Sequence, residues 1–442
     1  KTGRKLFLLF CWLFCGIVIA AFADMVAGTF NAYAVKDGVT SLSAAAQTNG
    51  AAGMVSIMFM VFAVVFGLIQ KKYSFSGWKE AALGIVFIVL SFAVGANFPL
   101  VLNKAAWSYI TFVYIFFAAV LPMWMMKQPR DYMTTFMFIG MIAGAAVGLL
   151  VAHPSMNLPV FTGFNNAKLG TMFPILFVTV ACGAVSGFHS LIASGTTSKQ
   201  LSNEGDAKMI GYGGMLIECV LAVIALLCVG SLTTDGNYTE VAAAPATVFA
   251  TAIAGFFTKM GLGEKAASIA FTVISLAVSA FCLTSLDTCC RLGRFTFQEF
   301  FTPEEGEKTS MQKTLTNKYV ATVINLGMAA LLCGAGYAKI WPLFGACNQL
   351  VSVPALMAAA VFMKRMSRNH KMFIVPMFFM AAASLFQLVL SFRNNVATIM
   401  AGGASLAAPI MQCIIIVPVF VLAIALLWEG CKALFGKETA KN

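Results

Sequence analysis

Seventeen acidic side chains occur in this 442-residue sequence, and three of them, Asp24, Glu218 and Asp287, sit well inside long apolar runs. A charge at bilayer depth is costly, so such residues are functional candidates by default. Glu218 lies near the middle of its run. Desolvation favours the neutral form of a carboxyl group, so a carboxylate at that depth is suited to load and release a proton. The competing reading is a carboxyl satisfied by a neighbouring helix as structural glue. Asp24 lies in the outer half of the first run, where it either faces a water-filled vestibule or bonds another helix. Asp287 has Arg291 four residues on, a spacing that allows an ion pair on one helix face. That pair would be structural or a cytoplasmic latch, with ion coupling as the second reading.

The densest polar signal is Thr179–Thr197, TVACGAVSGFHSLIASGTT. Gly183, Ser186, Ser190 and Ser194 recur at spacings of three and four, so they share one helix face. Small residues let helices pack closely and serine hydroxyls bond across the contact. Alternatively, hydroxyls and freed carbonyls coordinate an ion or a substrate, with Gly183, Gly187 and Gly195 loosening the helix. His189 lies mid-run beside this face, suited to a proton or substrate role or to a plain structural hydrogen bond. A second interruption is Ala118–Arg130, AAVLPMWMMKQPR, where Pro122 removes a backbone donor. Irregular backbone at such depth persists only where protein or a cavity covers it. A third is Lys339–Leu350, KIWPLFGACNQL, with Pro342, Gly345 and the amides of Asn348 and Gln349. Discontinuous helices of this kind point to a transporter site. The substrate-binding candidates are therefore Leu121, Pro122, Trp124, Ser186, Gly187, His189 and Asn348. The ion-coupling candidates are Glu218, Ser190, Thr284, Asp287 and Asp24.

The elements that must position these residues follow from composition. Hydrophobic residues make up 60% of the chain and charged residues 10%, far below the roughly 25% charged of a soluble domain. Mean hydropathy is +0.87. About 20 apolar residues cross a bilayer core as a helix, and twelve such runs occur: 6–35, 53–70, 80–100, 105–126, 132–152, 171–195, 208–232, 266–290, 319–338, 342–363, 372–391 and 408–431. A shorter amphipathic stretch, 245–260, reads as a surface or re-entrant helix. This predicts an all-α integral membrane protein with one polytopic domain over 1–436, a cytoplasmic loop at 302–317 and a cytoplasmic tail at 437–442.

The net charge of +12 is a topology signal. With the first residue inside, 22 of the 29 Lys and Arg fall in cytoplasmic segments and 7 outside, as the excess of cytoplasmic positive charge requires. Both ends of the chain are then cytoplasmic, and no nucleic-acid partner is expected. The basic residues so counted sit almost wholly in loops, which leaves few fixed positive charges for the interior. The 12 cysteines show no metal-ligand spacing, so free thiols and no metal are expected. Neither Walker A, H-E-x-x-H, G-x-S-x-G nor G-x-G-x-x-G is present, so an enzyme is not expected, there are no catalytic candidates, and uphill transport would draw on a proton or Na⁺ gradient rather than a cofactor.

Four blocks carry a resemblance to a known family: Leu121–Phe136, Thr179–Glu218, Leu283–Phe295 and Ile340–Leu350. They resemble the CstA carbon-starvation family, weakly before residue 100 and across 235–260. The resemblance implies a bacterial inner-membrane carrier that takes up pyruvate or short peptides during carbon starvation. It also implies the inverted-repeat core seen in LeuT, with broken helices. On that analogy Leu121–Trp124 is the unwound part of one core helix, and Ser186–Ser190 lie on a helix that supplies hydroxyls to an ion site. A Na⁺-coupled variant would use Ser186, Ser190 and Thr284. Family members begin with further hydrophobic segments ahead of the residue that is Lys1 here. The resemblance therefore implies missing N-terminal helices and a native protein longer by roughly 100 residues, with half of the expected site in that segment. The alternative from another class is a membrane nutrient sensor that binds the same ligands without flux. Oligomeric state, and pyruvate against peptide, are not legible.

Overall fold

The structure, a computed structural model, describes residues 2–36, 39–43, 45–156, 158–161, 163–166, 170–232, 245–303, 306–334, 336–402 and 406–435. The tail at 437–442, Lys168 and part of the 302–317 loop lie outside the described residues. The first half carries helices α1 (Thr2–Phe30), α2 (Ala46–Tyr73), α3 (Trp78–Asn97), α4 (Lys104–Val120), α5 (Lys127–Ala152), α6 (Met172–Val180), α7 (Gly187–Gly195), α8 (Asp206–Lys208) and α9 (Gly214–Leu232). The second half carries α10 (Pro245–Lys259), α11 (Gly263–Phe301), α12 (Ser310–Leu315), α13 (Lys318–Cys333), α14 (Tyr337–Arg365), α15 (Lys371–Met400) and α16 (Ala407–Phe435). Two short antiparallel pairings interrupt the helices, Tyr33–Lys36 with Val39–Leu42 and Asn165–Asn166 with Gly170–Thr171.

Helices dominate because a bilayer offers backbone groups no water to bond. Ten segments of the described residues are long and apolar enough to cross a membrane, and they coincide with ten of the twelve runs. The other two runs fold as the shorter apolar helices α4, of 17 residues, and α13, of 16. Local signals set several ends. The Asn103 side chain accepts from the Ala106 N–H at 2.9 Å and starts α4, as an N-cap should. Pro122 disfavours helical geometry at the residue before it, and Leu121 is extended, with φ −69° and ψ 154°.

Two expectations change here. The interruption expected over Lys339–Leu350 is absent, because α14 runs unbroken through Pro342 and Pro354. Each proline removes one internal bond, and the packing of α14 against α15 and α16 holds the helix through both. Second, Arg130, Arg291 and Arg294, counted above as loop residues, lie within α5 and α11 and are buried. The apolar run of α11 ends near 290, but its helix continues to Phe301, with Arg291, Arg294, Thr296 and Phe297 buried, since packing of a helix face contributes more than propensity.

The chain forms two compact units. The first comprises Lys1–Ala21, Phe161–Cys219 and Thr288–Asn442. In it α14, α15 and α16 pack against one another, α7 packs on α14, and α6 on α15. The second comprises Phe22–Val160 and Val220–Asp287. There α2 packs on α3 and α5, and α10 packs on α5. Its core includes Val55, Phe59, Phe66, Met133, Met137 and Ile224, joined by Ala250, Ile253 and Phe256 of α10.

The α2–α3 contact depends on Gly95. A Cβ there would stand 2.8 Å from the Val55 nitrogen and 3.0 Å from the Ala51 carbonyl oxygen, both backbone atoms that cannot swing aside. Gly95→Ala is expected to destabilise the protein by about 1–3 kcal/mol, the usual cost of overpacking. Gly140→Ala, where the space is open, is expected to be neutral or slightly stabilising. Thermal unfolding in detergent compares the two, and equal midpoints would refute the assigned contact.

Candidate functional site

The first unit contains a broken membrane helix. Helix α6 ends at Val180, a 3₁₀ turn covers Ala181–Gly183, and Ser186 is extended at φ −120° and ψ 121° before α7 begins at Gly187. Freed backbone groups at this depth require partners, and α14 supplies them. The Asn348 Oδ1 accepts from the Phe188 N–H at 2.8 Å, which caps α7 from a neighbouring helix. The same amide lies 3.2 Å from the Ser186 hydroxyl through its Nδ2. Gln349, in the amide orientation that satisfies both ends, accepts from the Cys182 N–H at 3.0 Å and donates to the Val185 carbonyl. Gly187 allows the approach, since a Cβ there would stand 2.6 Å from the Ser352 nitrogen and closer still to the Asn348 carbonyl.

One turn beyond the break, His189 Nδ1 lies 3.1 Å from Glu218 Oε2. The two side chains are 38% and 27% exposed, so both are reachable from outside the packed interior. His189 sits within the 172–199 span and Glu218 near the middle of the 206–232 span. Met215 Sδ lies 3.3 Å from the same ring nitrogen, and the Cys182 thiol lies 3.8 Å from Glu218 Oε1. The Glu218 helix enters through a π-helical turn at Met209–Gly213, a distortion frequent at functional sites. Chemically, a neutral imidazole and a carboxylate at this distance can hold one proton between them and release it on rearrangement.

The second unit holds a buried charge cluster around the start of α5. Arg130 Nη1 lies 2.5 Å from Asp287 Oδ2, with both side chains almost wholly buried. Tyr114 of α4 donates to the same Asp287 oxygen at 2.9 Å and also contacts Arg130. Arg130 Nη2 donates to the Thr284 hydroxyl at 2.9 Å, and that hydroxyl lies 3.2 Å from Asp131 Oδ1. Lys127 Nζ adds a charge 3.3 Å from Asp131. The segment that leads into this cluster, 121–126, is non-helical.

The structure thus brings Ser186, Gly187, His189, Asn348, Glu218 and Ser190 together in one unit. Ser190 donates to the Gly187 carbonyl at 2.6 Å. Leu121, Pro122, Trp124, Thr284, Asp287 and Asp24 belong to the other unit. Within its unit Asp287 takes Arg130 as partner, a contact that local spacing could not show because the two are 157 positions apart. Asp24 bonds another helix rather than standing alone, with Oδ1 2.7 Å from Lys104 Nζ at the start of α4. Sequence reasoning missed Arg130, Asp131 and Tyr114, and the bridging by Gln349. The one available signal was the crowding of Lys127, Arg130 and Asp131 beside an apolar run. No group of three or more potential metal ligands occurs among the described residues, and the 12 cysteines are free thiols.

Comparison with known proteins gives one consistent result. The family described as carbon starvation protein CstA matches residues 1–248 and 236–387. The peptide transporter CstA of Escherichia coli is 32% identical, over 58% of this chain and 45% of that protein. The pyruvate/proton symporter BtsT of the same organism is 30% identical, over 67% of this chain and 53% of that protein. A peptide transporter CstA of Mycobacterium tuberculosis is 53% identical over a shorter stretch, 26% of this chain and 16% of that protein. This chain spans about half the length of the curated relatives it matches. No solved structure matches.

The buried ion pair generates a prediction. Removing one partner leaves an uncompensated buried charge, at about 3–5 kcal/mol. Arg130→Met and Asp287→Leu are each expected to lower the unfolding midpoint and yield sharply. The double variant is expected to recover most of the loss. Additive losses would show that the two side chains do not depend on each other.

Proposed function

Because the chain belongs to the CstA carbon starvation family, we propose that it forms the membrane body of a proton-coupled secondary transporter that imports pyruvate or short peptides. The observation that carries the coupling half of this reading is the accessible His189–Glu218 pair at mid-span, 3.1 Å apart beside a broken helix. Transport proteins place coupling sites at such depth, next to discontinuous helices. The substrate half is supported by the names of two relatives, one a peptide transporter and one a pyruvate/proton symporter. Both names favour transport over sensing.

The same proposal places the chain in a bacterial inner membrane with its ends cytoplasmic. It counts α4 and α13 as crossing helices, which makes twelve, and takes α10 as re-entrant, since Ala250, Ile253 and Phe256 are embedded in a packed core. The two units act as one polytopic domain built on a LeuT-like inverted repeat. Substrate candidates are Leu121, Pro122 and Trp124 in one unit and Ser186, Gly187, His189 and Asn348 in the other. Asn348 and Gly187 act by holding the break open in a fixed shape, since their atoms are engaged by α7 and α14. Thr284 and Asp287 act within the buried Arg130 cluster, and Asp24 through Lys104.

Uptake of labelled pyruvate and dialanine into proteoliposomes, with and without an imposed pH gradient, tests the reading. Wild-type protein is expected to accumulate one of them only with the gradient, unchanged when choline replaces sodium. Glu218→Gln is expected to lose gradient-driven accumulation by tenfold or more while substrate exchange across the membrane persists. Sodium dependence with an inert Glu218→Gln would shift the coupling to Na⁺ and remove the pair from it.

A further inference from the structure

A second feature lies apart from the His189–Glu218 pair, wholly within the second unit. A cleft of about 430 Å³ is lined by Phe66, Gln70, Lys71, Glu80, Trp124 and Tyr132, with Gly67, Gln128 and Pro129 completing the wall. Its volume falls in the range of about 300–1,000 Å³ typical of small-ligand sites. Gly67 makes it possible, because a Cβ there would meet the Trp124 and Met125 carbonyl oxygens at 2.9 Å. The 121–126 segment therefore lies against α2 and carries Trp124 to the cleft.

The lining combines opposite charges with aromatic faces. Lys71 Nζ stands 4.0 Å from the centroid of the Trp124 ring. Glu80, in the first turn of α3, supplies a carboxylate to the same cleft. The Gln70 amide donates to the Phe75 carbonyl at 2.5 Å, and its Oε1 has no hydrogen-bond partner among the described residues. A simple anion would be opposed by Glu80, and a simple cation by Lys71. The complementary ligand carries both signs. Its anionic group would meet Lys71, a point-charge partner for phosphate or carboxylate. Its ammonium would meet Glu80 and the Tyr132 ring, whose face attracts cations, since Lys71 already covers the Trp124 face.

Position narrows the source. Apart from Trp124 of the 121–126 segment, the lining residues come from the last two turns of the 46–73 span, the first turn of the 78–97 span and the first two turns of the 127–152 span. The cleft therefore opens at one membrane surface, at headgroup level, where Lys71, Lys72, Tyr73 and Trp78 gather as interfacial anchors do. The exposed apolar side chains Val61 and Val65 precede the lining residues on α2, toward the bilayer interior. We propose that this cleft binds a zwitterionic head, an ammonium next to a phosphate or carboxylate, with the anionic group at the Trp124-backed Lys71 and the ammonium at Glu80 and the Tyr132 ring. A phosphatidylethanolamine headgroup and the charged ends of a short peptide share this chemistry.

Detergent-purified protein, delipidated and titrated separately with phosphatidylethanolamine, phosphatidylglycerol and dialanine, tests the proposal. Native mass spectrometry reads occupancy directly, so that a variant of lowered stability still reports. Wild-type protein is expected to retain at least fivefold more phosphatidylethanolamine than phosphatidylglycerol. Glu80→Gln is expected to abolish that preference, and Lys71→Gln to reduce binding of both lipids. Dialanine bound by the wild type and lost in Glu80→Gln would assign the same site to a soluble zwitterion. No preference for either zwitterion over phosphatidylglycerol would overturn the proposal. So would unchanged binding in both variants.

Discussion

A peptide group inside a bilayer has no water to bond, so each one must be satisfied by protein. Continuous helices meet this demand alone, and most of the chain consists of them. The place where the helix stops at depth, 181–186, meets it differently. At 181–186 the partners are amides on α14, with Asn348 capping α7 and Gln349 bonding Cys182 and Val185. The geometry of His189 follows from this, because the residue stands two positions past the capped start of α7. The candidate proton pair thus depends on two buried amides that need not touch any ligand.

The start of α5 shows the same constraint applied to charge. A buried guanidinium is costly unless an opposite charge and hydrogen-bond partners compensate it. Arg130 has Asp287, Tyr114 and Thr284 around it, drawn from α4 and α11. This cluster ties three helices together near the end of the irregular segment that carries Trp124. Its position gives the second unit a rigid polar anchor, in contrast to the half-exposed pair in the first unit.

Much of the architecture was legible in the sequence, and for a physical reason. Apolar runs of about 20 residues have one stable form in lipid, so α1, α2, α15 and α16 follow from composition. The break at Ala118–Arg130 was announced by Pro122, and that at Thr179–Thr197 by its glycines. The break expected at Lys339–Leu350 failed because proline and glycine report local permissiveness and not the packing that decides the outcome. In α14 that packing, against α15 and α16, holds the helix through Pro342. Likewise, Arg130 looked like a loop charge because charge alone does not reveal a buried counter-ion in another helix.

The sequence by itself determined that this is a helical membrane protein of the CstA family, since hydrophobic length and the long Thr179–Glu218 block survive without any coordinates. It also singled out His189, Glu218, Asp287 and Asn348 as polar groups in apolar surroundings. Only the tertiary structure decided which of them meet. Partner choice across 29 residues for His189–Glu218, 157 for Arg130–Asp287 and 160 for Phe188–Asn348 is set by helix packing. Periodicity fixes the face a side chain occupies, whereas the helix that comes to lie against that face is a property of the whole fold.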